Sequence, residues 1–170
     1  MFQKPFLLAI ILSLGFVTGC IIPGARREKA EIELQRNDSL FVIDEGEFNF
    51  RIVLPKDLMI SHVPVFHHNP SENTLSMTCG PSFHLIAEVS DPSMEPLPAQ
   101  DGIFRLEVID NEDQSTVYKR VLPDGVVYDY GLVQHTEING VHYLFHTDSN
   151  AEYTLQDALR MKSALASIKI

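Results

Sequence analysis

Long apolar runs are scarce in this chain. The one at its N-terminus covers only Phe6 to Val17, and a transmembrane helix needs roughly 20 apolar residues to cross the hydrocarbon core. Basic residues are few as well: 13 Lys and Arg stand against 23 Asp and Glu, a formal net charge of −10. A surface of that sign repels phosphate backbones and anionic headgroups. It argues against nucleic acid as a partner and against a charge-driven grip on lipid. Cysteine is limited to Cys20 and Cys79, so the fold must rest on a hydrophobic core. There is no Gly-rich phosphate loop, no HExxH and no GxSxG. The acidic run Asp110, Glu112 and Asp113 lacks the Gly and distal Glu of a calcium loop. Aromatic residues fall at strand spacing and read as core.

The N-terminus has the order of an export signal: Lys4, then the apolar run, then small residues. Val17-Thr18-Gly19-Cys20 resembles the lipobox of bacterial lipoproteins, an aliphatic residue and two small residues before Cys. The resemblance implies a signal peptide over residues 1–19, removed after the Cys20 thiol has taken a diacylglyceryl group. It also implies a bacterial cell envelope protein held by its acyl chains, since two or more chains anchor stably. Ile21 stands where an Asp in enteric bacteria retains a lipoprotein at the inner membrane. It therefore points to the outer membrane if the cell is Gram-negative. Without Lys4 the mature chain carries 12 basic and 23 acidic residues, a net charge of −11. With Cys20 consumed, Cys79 is the remaining thiol and no intrachain disulfide can form.

Residues 20–39 read as a tether, with a Pro23-Gly24 breaker and a charged stretch that suits either a short helix or a stalk. The expected domain is 40–170, a single α+β unit. Phe48, Phe50, Ile52 and Leu54 alternate with Glu47, Asn49 and Arg51, the period of a half-buried strand. Leu58 to Phe66 is a second apolar segment interrupted by Pro64, and His67 to Asn73 reads as a polar turn. Thr74 to Thr78 and Phe83 to Val89 pair as a hairpin. Ser90 to Gly102 is a proline-containing loop, long enough to suspect a lid. Ile103 to Ile109 fits strand or helix, and Thr116 to Leu122 fits a strand. Val126 to Ile138 and Val141 to Thr147 flank Asn139-Gly140, a strong hairpin signal because both residues tolerate positive φ.

Tyr153 to Ile168 is the expected helix. Thr154 and Asp157 form a capping-box pair, and Leu155, Ala158, Leu159, Met161, Leu165 and Ile168 form an apolar stripe. An antiparallel sheet with this C-terminal helix packed on one face is the predicted fold. A hairpin, a helix and then Ala166-Ser167-Ile168-Lys169-Ile170 resemble the ends of small α/β domains of the PsbP/Mog1 type. That family is mostly non-enzymatic and includes lipoproteins and accessory factors, so the resemblance implies a binding or accessory role.

The most specific chemistry lies on the Asn139-Gly140 hairpin. Its register sets Glu137 opposite His142, His135 opposite Leu144, and Val133 opposite His146. Alternation then places His135, Glu137, His142 and His146 on one face. Three imidazoles and a carboxylate suit zinc, copper or nickel, although a solvent-facing polar side reads the same way. His62, His67 and His68 form a second His-rich stretch, in which the adjacent pair could share an ion only within a turn. Cys79 and His84 are a nucleophile and a base by residue type, but no orienting Asn or Asp stands out. Cys79 therefore reads as an inert thiol on a hairpin arm, and no catalytic residue is expected. The functional expectation is a lipid-anchored, non-catalytic binding or accessory protein with an envelope partner or a small apolar ligand between sheet and helix. A metal-binding protein using zinc or copper on the hairpin is the alternative.

Overall fold

A computed structural model describes residues 39–170 except 92, 94–99, 113 and 170. The expected signal peptide, Cys20 and nearly all of the expected tether lie outside the described residues, as does much of the Ser90 to Gly102 segment. The protein is α+β. Strands β1 (Leu40–Glu45) and β2 (Phe48–Val53) form an antiparallel hairpin. A one-turn helix α1 (Lys56–Met59) follows. The eight strands β3 (Val65–Asn69), β4 (Thr74–Thr78), β5 (His84–Val89), β6 (Gln100–Asp101), β7 (Phe104–Glu112), β8 (Ser115–Val121), β9 (Val127–Ile138) and β10 (Val141–Thr147) form one antiparallel sheet. Their order is β3-β4-β5-β10-β9-β8-β7-β6. Helix α2 (Leu155–Ala166) closes the chain.

Among the described residues, one face of the large sheet is packed by the β1–β2 hairpin and α2, and the other carries neither a helix nor a second sheet. Leu75, Met77, Leu85, Ala87, Tyr143, Phe145 and Leu132 point to the covered side and are at most 1 % exposed. The β1–β2 hairpin packs there through Phe48 and Phe50, whose rings sit 5.7 Å and 5.9 Å from that of Tyr143. Phe50 also meets Phe145 edge-on at 5.6 Å. Such offset and edge-to-face contacts suit the ring quadrupoles. The Tyr143 hydroxyl donates to the Glu47 carbonyl, which satisfies the polar end of a buried ring. Alongside the hairpin, α2 buries Ala158, Met161, Ala164 and Leu165 in the same core. Its end is stitched to β2: Lys169 and Arg51 exchange backbone hydrogen bonds of 2.8 Å and 3.1 Å, and Val53 N–H donates to Ser167 Oγ at 2.8 Å.

The capping box forms as the sequence indicates. Asp157 N–H donates to Thr154 Oγ1, and Thr154 N–H donates back to Asp157 Oδ2 at 3.0 Å. Leu159 departs from the expected stripe and is 43 % exposed. At about 100° per residue it lies beyond the edge of the buried arc, and Ala164 fills the stripe instead.

One local expectation is corrected. His67 and His68 belong to β3 rather than to a turn, which occupies residues 70–73 with Asn73 at φ 51°. Pairing with β4 supplies the ladder that polar composition alone hid. The Leu58 to Phe66 segment is interrupted as expected: α1 ends at Met59, Ile60 and Val63 stand 85 % and 83 % exposed, and β3 begins just past Pro64. The ambiguous Ile103 to Ile109 segment is strand β7, with a bulge between Val108 and Asp110.

Candidate functional site

The uncovered face of the large sheet gathers the chemistry. Alternation along the strands sends His67 of β3, Ser76 of β4, His84 and Glu88 of β5, His142 and His146 of β10, and His135 and Glu137 of β9 to this side. Five of the seven histidines therefore share one face. Among the described residues, no helix or second sheet packs over them.

The hairpin forms in the register read from the sequence. Val141 faces Ile138, His142 faces Glu137, Leu144 faces His135 and His146 faces Val133. Asn139 and Gly140 make the turn at φ 55 and φ 80 degrees. Two consecutive positive values match the twist of the flanking strands. His135, Glu137, His142 and His146 thus do share a face, yet they do not converge. His142 and His146 are four residues apart on one strand, about 13 Å at the backbone, with Leu144 between them. His142 Nε2 lies 3.8 Å from Glu137, while His146 Nε2 turns away to Glu88, 3.1 Å distant on β5. His135 Nε2 is buried without a hydrogen-bond partner. Among the described residues, no group of three or more His, Cys, Asp or Glu side chains is placed to hold a metal ion.

The second histidine stretch also separates. His67 points to the uncovered face. His68 turns inward, its ring 5.5 Å edge-on from Phe48 and its Nδ1 3.5 Å from Glu45. His62 stands against Gly80 of the β4–β5 turn, where a Cβ would overlap its ring.

Cys79 is fully buried, and its thiol points to the His62 carbonyl at 3.8 Å. Burial, with the nearby Asp57 carboxylate, pushes its pKa up. His84 turns from Cys79 to two other partners. Ser76 Oγ sits 2.8 Å from His84 Nε2, and Asp148 Oδ2 lies 3.2 Å from His84 Nδ1. Sequence reading missed this chain of contacts. The strand alternation that placed the hairpin histidines also puts Ser76 diagonal to His84. Asp148 lies just past the end of β10, and only the β5–β10 pairing brings it alongside.

A separate polar cluster sits farther across the sheet. Arg120 holds Asp129 at two points, including Nε to Oδ1 at 2.6 Å, and both residues are buried. Phe104 and Tyr128 lie 5.3 Å and 5.6 Å from the guanidinium. The Asp129 hydrogen bonds raise the Arg120 pKa against the opposing effect of burial. Near the β8–β9 turn, Ile103, Arg105, Val121 and Pro123 border a depression of about 470 Å³, well away from the histidines. Comparison with known proteins gives no match: no family model fits the chain, and no curated protein or solved structure resembles it.

Proposed function

We propose that this is a lipid-anchored bacterial cell envelope protein with a binding or accessory role, and that it meets its envelope partner through the uncovered sheet face. The lipobox at Val17 to Cys20 supports the anchor. One observation carries the binding role: the covered side is filled with interlocked aromatic and aliphatic side chains, while the opposite side presents histidines, carboxylates and hydroxyls. A face rich in His and carboxylate suits a polar protein surface, with water and charge-assisted hydrogen bonds at the contact.

Two measurements test the proposal. Intact mass of the purified mature protein should show cleavage before Cys20 and its acylation, and Cys20→Ser should release the chain from the membrane fraction. A photo-crosslinking residue at His142 should then give a defined adduct in the envelope, whereas one at Leu159 on the exposed side of α2 should not. Equal adducts at both positions, or none at His142, would remove the face from the proposal.

A further inference from the structure

We infer that Ser76 is an acyl-accepting nucleophile, with His84 as its general base and Asp148 as the carboxylate that orients the ring. This is independent of the binding role. Ser76 Oγ and His84 Nε2 are 2.8 Å apart. A contact of that length lies within proton-transfer reach. Asp148, 3.2 Å from Nδ1, accepts the hydrogen of that nitrogen. This fixes the tautomer, so the Nε2 lone pair faces the serine hydroxyl. Nucleophile, base and orienting acid occur in the connectivity that acyl transfer requires, whatever the fold. All three groups are partly shielded, the histidine side chain 25 % and the aspartate 20 % exposed, and they open onto the uncovered face.

The step balances with water as co-reactant. Ser76 Oγ bonds to the carbonyl carbon of an ester while its proton passes to His84 Nε2. The carbon–oxygen bond to the leaving alcohol breaks, and that alcohol takes the proton from Nε2. Water then adds to the acyl-serine, giving up a proton through His84. The carboxylic acid leaves and the serine is restored. Ser76 lies within two hydrogen-bonded ladders, to β3 and to β5, so its backbone offers no free oxyanion donor. His67 is its direct neighbour across the β3–β4 ladder and is exposed. Its ring N–H is the donor available for the developing charge. One side-chain donor stabilises less than a paired backbone hole. The substrate class is therefore esters with good leaving groups, such as aryl esters and thioesters, rather than amides.

The test uses the full-length protein in detergent with a fluorophosphonate probe and peptide mapping. We expect an adduct on Ser76, absent after heat denaturation and in Ser76→Ala. His84→Gln should slow labelling by about a hundredfold. Asp148→Asn should slow it and Asp148→Glu should restore it, a rescue that a merely structural role would not give. No Ser76 adduct on the folded protein, or an adduct formed equally fast in His84→Gln or Asp148→Asn with native circular dichroism, overturns the inference. Should His84→Gln fail to fold, the aspartate pair decides alone.

Discussion

Arg120 and Asp129 form a two-point ion pair across the β8–β9 ladder, and the guanidinium also donates to the carbonyls of Ser149 (3.0 Å) and Ala151 (3.3 Å). This one side chain therefore ties the sheet to the segment that leads from β10 into α2. Both charges are almost fully withdrawn from water. Their attraction offsets a large desolvation cost only while both are present. Asp129→Ala should destabilise by about 3–5 kcal/mol, because it leaves a buried cation with only the half-exposed Asp101, 3.8 Å away, as its carboxylate partner. Replacing both residues with apolar ones of similar size should cost much less. Urea unfolding of the two single variants and the double variant measures the difference.

Tyr118 lies over the bare backbone of Gly131, its direct partner on β9. A Cβ at that position would overlap the phenol ring. Gly131→Ala should therefore cost about 1–3 kcal/mol, as overpacking does. Shortening Tyr118 to Val in the same chain should recover part of the loss. Thermal melts of the single and double variants give the coupling.

Burial and the Asp57 carboxylate raise the Cys79 pKa in the fold. The neutral thiol is thus favoured when folded. Its contribution to stability is fully present below the unfolded thiol value of about 8.5 and is lost as pH rises through the higher folded value. Iodoacetamide at pH 8 should leave the native thiol unmodified and label it rapidly in urea. Fast labelling of the native protein would show that the site opens locally.

The hairpin histidines give a fourth prediction. His142 stands beside Glu137 and His146 beside Glu88, with about 13 Å between the two histidine backbones. Zinc, copper or nickel at micromolar concentration should therefore leave the melting temperature unchanged. A bound ion at a hundred times its dissociation constant would add about 2.7 kcal/mol. A shift of that size, abolished by His135→Ala and His142→Ala, would restore the metal reading.

Local signals were legible in the sequence. Alternation at Phe48 to Leu54 marked β2 and its buried side. Asn139-Gly140 fixed a turn and so a register, because few residues besides these accept consecutive positive φ. Thr154 and Asp157 marked the start of α2 by satisfying backbone donors within one turn. His67 and His68 were misread because β3 is specified by its partner β4. A five-residue edge strand that ends His-His-Asn shows too little alternation of its own to be read.

By itself, then, the sequence determined the elements and contacts that close over a few residues. Tertiary structure decided which strands became neighbours. Setting β5 against β10 brought Glu88 to His146, 58 residues away in the chain. It also brought Asp148 to His84, from farther still. Ser76 reaches the same histidine through the local β4–β5 hairpin. The longer chain separations are closed by burial of the apolar face, which has no preference for the polar residues it carries along on the other side. The histidines of the candidate site were visible one by one, but the partners they meet depended on the packing of the opposite face.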